Sequence, residues 1–170
     1  MNATKKKKAG GPKGVASSQL HASLALVGAA MMLAIAIVHL HLWASAGYRH
    51  IPTIGPLFLA NFIIGLVVAF ALIATLVPAM EKVPVLGQPW GQAALGIGGA
   101  LFALGTLIGY IVTLTNGLFQ FMEPGISYSG GVAIFAEVTS VAVLAVWAAM
   151  LLGWRTDATP LQSGGGQARA

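Results

Sequence analysis

Four apolar runs, each long enough to cross a lipid bilayer, constrain this chain more than any other feature of it. They cover residues 21–43, 56–77, 92–115 and 131–154. At ~1.5 Å of rise per residue, a helix of about 22 residues spans a hydrocarbon core of ~30 Å. Inside lipid every backbone N–H and C=O must find a partner within the protein, and a single segment achieves that only as a helix. The predicted fold is therefore all-α: a polytopic membrane protein built as a four-transmembrane-helix bundle. Composition agrees. Hydrophobic residues make up 57% of the chain and charged residues 8%, with a mean hydropathy of +0.84. A soluble domain carries about 25% charged residues to cover its surface.

The breaks between runs have physical causes. Pro56 follows Gly55 and suits the first turn of a helix, where a missing N–H costs nothing. Pro78 should end the second helix. Pro84, Gly87 and Pro89 make the next stretch a loop, and Pro124-Gly125 marks a turn before the fourth helix. On this reading residues 20–155 are the transmembrane domain. Residues 1–19, rich in Lys, Gly and Ser, and residues 156–170 are expected to be disordered tails.

Charge sets the expected orientation. With the N-terminus inside, the inner segments hold Lys5, Lys6, Lys7, Lys8, Lys13, Lys82, Arg155 and Arg169, while the outer loops hold only Arg49. That asymmetry predicts a plasma-membrane protein with both termini cytoplasmic. Trp43, Tyr48 and Tyr128 then fall at the outer interface, and Trp90 and Trp154 at the inner one. A second reading, a signal peptide cleaved near Ala44-Ser45-Ala46, would leave three helices. The apolar run is longer than the usual 7–15 residue signal core and contains His39 and His41. The net charge of +5 does not indicate nucleic-acid binding, because five of the nine basic residues precede the first apolar run. They suit anionic lipid. With no cysteine, disulfides and thiol-ligated metals are excluded.

Close helix approach in lipid depends on small residues. The candidates are Gly65 on the second helix and Gly98, Gly105 and Gly109 on the third. They serve either packing within the bundle or a seam between copies.

Polar side chains within the apolar runs are the candidate functional groups, since each is costly in a membrane. Glu137 lies about six residues into the fourth helix, roughly 9 Å from its start. An ionised carboxylate there requires a partner. His39 and His41 on the first helix, Asn61 on the second, and Tyr110 and Thr113 on the third lie at similar depth. Together these six form a predicted polar cluster in the outer leaflet, while the inner halves are nearly all apolar. His39 and His41 are about 200° apart around a helix, so only one faces the bundle centre. The cluster is read either as a hydrogen-bonded knot that fixes the bundle or as a functional pocket. In the outer loops, Arg49 and His50 are expected over this layer, directed toward Glu123. A metal site from His39 or His41 with His50 and Glu137 has suitable ligand types but no established spacing. Haem would need histidines on two facing helices. Met31, Met32 and Met150 read as core filler. No cofactor is expected, and there is no hydrolase, metalloprotease or phosphate-binding motif.

Residues 39–43, reading H-L-H-L-W, residues 47–59, reading G-Y-R-H-I-P-T-I-G-P-L-F-L, residues 117–124, reading G-L-F-Q-F-M-E-P, and Glu137 together resemble a group of small four-helix membrane proteins of high-GC Gram-positive bacteria. The resemblance covers residues 20–155. It implies the architecture and the membrane location and brings no catalytic residues. The layout is also similar to that of DoxX-like membrane proteins, which are linked to redox and quinone processes; that analogy is one of fold alone.

The expected function is that of a non-enzymatic structural or accessory subunit of a membrane assembly, in contact with lipid and with other subunits or further copies of itself. The alternatives are a small permease or proton- or ion-coupled carrier using Glu137, and a redox or quinone-binding protein using the outer polar layer. A cavity reaching Glu137 from both sides would favour transport, and an apolar groove in the outer leaflet would favour quinone or lipid.

Overall fold

The computed structural model describes residues 12–153. Residues 1–11 of the expected N-terminal tail, the whole expected C-terminal tail at 156–170, and Trp154 and Arg155 lie outside the described residues. The described residues form four α-helices: α1 (Pro12–Ser45), α2 (Ile54–Ala74), α3 (Pro89–Thr115) and α4 (Tyr128–Leu151). Each is long and apolar enough to cross a membrane, which makes this a multi-pass membrane protein. No strand occurs among the described residues; the one β-bridge, Leu118 with Phe121, is isolated.

The helix ends differ from expectation by a few residues, with one larger correction. Residues 12–19, expected to be disordered, are the first turns of α1. Extending an existing helix adds a hydrogen bond for each residue fixed, and this stretch carries no proline after Pro12 to stop it. α2 starts at Ile54, so Gly55 and Pro56 sit inside its first turn. α3 opens on Pro89 itself. α4 starts at Tyr128, where Ser127 caps the helix by accepting a hydrogen bond from the Gly130 N–H at 3.1 Å.

Around the bundle the order is α2, α1, α4, α3. α1 packs along both α2 and α4, and α3 packs along α4, but α2 and α3 make few contacts. The ring therefore has one loose seam. The α1–α2 and α3–α4 connections lie at one end of the bundle. The α2–α3 connection, which contains a 3-10 turn at Pro78–Lys82, lies at the other.

The half nearest the α2–α3 connection is solidly packed. Ala25, Ala29, Met32, Leu72, Leu144 and Trp147 are buried there. Gly99 marks a layer where all four helices meet: a Cβ built on it would stand 2.8 Å from Leu144, 3.2 Å from Val68 and 3.7 Å from Met32. Gly96 is equally confined, with Trp147 at 3.0 Å. Gly65 packs as expected: a Cβ added there would lie only 3.2 Å from both Ala36 and the Met32 carbonyl.

The other three candidate packing glycines require correction. Gly98, Gly105 and Gly109 face open space, with nothing within 4 Å of an added Cβ. The close-packing stripe of α3 is instead Ala93, Gly96, Gly99, Ala100 and Ala103, at steps of three and four residues. Of the methionines, Met32 is fully buried, whereas Met150 is 37% exposed and so is not core. Phe70, Leu101 and Phe135 are each more than half exposed, which places them against lipid in a membrane.

Candidate functional site

A cavity of about 350 Å³ occupies the half of the bundle nearest the α1–α2 and α3–α4 connections. Its deep end lies at the level of Val38, Asn61, Phe102 and Glu137, one from each helix. Beyond that level the Gly99 layer closes the bundle. The cavity borders the seam between α2 and α3, where Leu57 and Leu101 are 41% and 63% exposed. Gly105 and Gly109 also line it. Their missing side chains open the space and do not tighten a helix contact.

Five of the six residues of the predicted polar cluster meet here: His39, Asn61, Tyr110, Thr113 and Glu137. His41 does not. It is exposed on the outer face of α1, as the angle between the two histidines requires. The five do not form a knot, however. His39 is buried and places Nδ1 2.8 Å from the Ile35 carbonyl of its own helix. A carbonyl can only accept, so Nδ1 carries the proton and Nε2 of a neutral ring is left as an acceptor. Thr113 is likewise bonded within its helix, donating to the Tyr110 carbonyl at 2.7 Å. The Tyr110 hydroxyl lies against Gly130, where any Cβ would collide with it. Glycine at that position is what lets a tyrosine of α3 reach the first turn of α4.

Glu137 is the deepest carboxylate lining the cavity, with 1% of its surface exposed. Among the described residues no hydrogen bond joins it to His39, His41 or Asn61, and its Oε2 has no partner. Thr106 of α3 is the side chain within reach of the carboxylate. The hydroxyl of Ser140, one turn further along α4, is also buried and unpaired. A buried polar group without a partner costs about 1–3 kcal/mol, and more if it is charged.

The mouth of the cavity is built by aromatic residues that sequence reasoning did not assign to the site. The rings of His39 and Phe58 lie 5.0 Å apart, those of Phe58 and Tyr48 4.8 Å, and those of Tyr48 and Phe121 5.6 Å. This continuous wall runs from α1 to the α3–α4 connection. Tyr48, expected to belong to an interfacial belt, is partly buried and donates its hydroxyl hydrogen to Glu123. Burial, with the Glu123 carboxylate beside it, raises the Tyr48 phenol well above the ordinary value. The expected approach of Arg49 and His50 to Glu123 is not found: both are exposed, and Arg49 Nε donates to His50 Nε2 at 3.0 Å.

Two strained turns hold these parts in place. At Thr53 (φ 66°, ψ −47°) the Ile54 N–H bonds the Pro52 carbonyl at 2.7 Å, which is a γ-turn. It lets Gly55 sit against the carbonyls of Tyr48 and Arg49, 2.9 and 2.8 Å from where a Cβ would be. In the other connection, Leu118 and Phe121 exchange backbone hydrogen bonds of 2.7 and 2.9 Å across Phe119 and Gln120. Both central residues have positive φ, 50° and 65°, as a two-residue type I′ turn requires. This turn aims Phe121 and Glu123 at the cavity. Alternating ring spacing could not have revealed the aromatic wall, since its members come from four separate segments. The two-residue turn was equally hidden, because Phe-Gln lacks the usual Asn or Gly.

Among the described residues no three His, Asp or Glu side chains converge as a metal site. No protein-family model, curated protein or solved structure matches the chain.

Proposed function

We propose that this protein is a non-enzymatic, membrane-embedded binding protein that takes up a lipid-soluble amphiphile from the outer leaflet of the plasma membrane. The observation that carries the reading is the cavity itself. Its volume of about 350 Å³ lies within the range typical of small-molecule sites, ~300–1,000 Å³. It borders the loosest helix seam, its walls are mainly apolar, and Glu137, whose Oε2 is unpaired, lines its deep end. The orientation in this proposal, with both termini cytoplasmic, rests on the basic residues: Lys82 belongs to the α2–α3 connection, and Arg49 alone to the opposite end.

A carrier working through Glu137 is less well supported, because the Gly99 layer leaves no path beyond the cavity. The accessory-subunit reading would rest on an exposed stripe of small residues: Gly98 and Gly105 are exposed on α3, while Gly105 and Gly109 also line the cavity.

The test is native mass spectrometry of the protein released from mild detergent, compared with Gly105→Phe. The substitution places a ring in the cavity, where no atom lies within 4 Å of the new Cβ. Wild type is expected to carry a bound amphiphile and the variant to lack it at equal thermal stability. Identical spectra free of any adduct would overturn the proposal.

A further inference from the structure

Resting on that reading, we infer that the cavity selects a lipophilic amine, whose ammonium group pairs with Glu137 while its alkyl or aryl body lies against the aromatic wall and reaches lipid between α2 and α3.

The charge pattern of the lining points to a cation. Among the described residues no lysine or arginine lines the cavity, and the two carboxylates there are Glu123 and Glu137. Glu123 is already occupied by the Tyr48 hydroxyl. Glu137 is nine-tenths buried and more, with Oε2 unpaired. A phosphate or carboxylate headgroup would meet two acids and no counter-charge. An ammonium group supplies the donors that Oε2 lacks, and charge-assisted pairs of this kind gain strength where water is excluded.

The walls suit the same ligand. Phe58, Phe102 and Tyr110 line the cavity between its mouth and the depth of Glu137. Aromatic faces attract a cation, more strongly when it is desolvated. His39 adds to this character. With Nδ1 donating to Ile35, its ring in the neutral form offers the acceptor Nε2, which also favours a donor-bearing ligand.

The experiment uses full-length protein in lipid nanodiscs and three probes with one alkyl chain: dodecylamine, dodecanol and dodecanoate. They compete at equal mole fraction in the bilayer and are read by native mass spectrometry. The amine is expected to be retained roughly tenfold over the alcohol, the scale of one charge-assisted hydrogen bond, and the carboxylate least. In Glu137→Gln the preference for the amine should vanish while the alcohol is still bound. Glu137→Asp, which keeps the charge, should restore part of the preference. Should the Gln variant fail to fold, Glu137→Leu serves the same comparison. Equal retention of amine and alcohol by wild type, or a preference that survives loss of the carboxyl, would overturn the inference and leave the cavity reading standing. Failure of wild type to retain any of the three would overturn both.

Discussion

The Tyr48 hydroxyl donates to the Glu123 carboxylate across 75 positions of sequence, and so ties the α1–α2 connection to the α3–α4 connection above the cavity. Neither residue belongs to one of the four long helices. The contact therefore closes the end of the bundle where α2 and α3 leave it loose.

Removing that tie should loosen the same end. Tyr48→Phe keeps the ring between Phe58 and Phe121 but deletes the donor. A loss of about 1–2 kcal/mol is expected, reduced from the buried value because Tyr48 is only partly covered. The raised phenol value adds a pH signature. The neutral phenol is favoured in the folded state, so its contribution is complete below the ordinary value of 10.0 and is lost as pH rises through the raised one. Alkaline unfolding of wild type and Tyr48→Phe in detergent, followed by circular dichroism, checks both. Parallel pH profiles would show that Tyr48 contributes nothing in this range.

Glycines of α3 that look alike in sequence should respond in opposite ways. Gly99→Leu places three further carbons beyond the Cβ against Leu144 and Val68, and overpacking of this kind costs about 1–3 kcal/mol or more. Gly105→Leu enters the cavity and gains helix propensity of up to about 1 kcal/mol. Thermal unfolding should therefore separate the two variants, with Gly105→Leu at or above wild type. Equal destabilisation would mean that the cavity is absent in solution.

Glu137→Leu should stabilise the fold. The carboxyl has no partner for Oε2, so an apolar group of similar volume removes a desolvation cost of about 1–3 kcal/mol. A carboxyl kept only to hold helices together would give the reverse result. Denaturation of the ligand-free protein decides between a residue retained for binding and one retained for structure.

The strained turns offer a further check. Phe119 and Gln120 adopt left-handed backbone, which costs a non-glycine residue about 1–2 kcal/mol. Gln120→Gly relieves that cost but frees the unfolded chain, leaving a net gain of about 0.5–1 kcal/mol. A lower midpoint in the thermal melt would indicate that the turn holds a different backbone conformation in solution.

Orientation is testable without background, because the chain contains no cysteine. A single cysteine at Gly125 should react with an impermeant thiol reagent on intact cells, and one at Lys82 only after permeabilisation. The opposite pattern would invert the proposed topology.

The helices were legible because their signal is long and redundant. Some twenty apolar residues outweigh any single boundary residue, so errors fell at the ends, at Pro12, Ile54 and Tyr128. The polar layer was legible for the same reason that it is unusual: Glu137, Asn61 and His39 stand out against apolar neighbours. Depth along a helix predicted that they would share a level, and they do. Depth carries no information about pairing, which depends on rotation about each helix axis. Thus His39 turned to its own backbone, and Glu137 Oε2 met no polar partner. The glycines show the same limit. Gly96 and Gly99 could have been distinguished from Gly98 and Gly105 by their register with Ala93, Ala100 and Ala103, which a pairwise spacing rule overlooks. The partnership of Tyr48 with Glu123 left no local trace, since the two lie in separate connections and neither carries a periodic signal.

The sparse contact between α2 and α3 has a consequence for how the polypeptide is assembled. The segment joining them is the one connection that links helices with little packing between them, so its role is covalent continuity. What holds the two helical hairpins together is α1 against α4. Interrupting the chain within residues 78–88 should therefore leave two fragments that insert separately and find each other in the bilayer, each an α-hairpin with half of the cavity wall. In the language of gene architecture, the protein is divisible at this point, and co-expressed halves should complement.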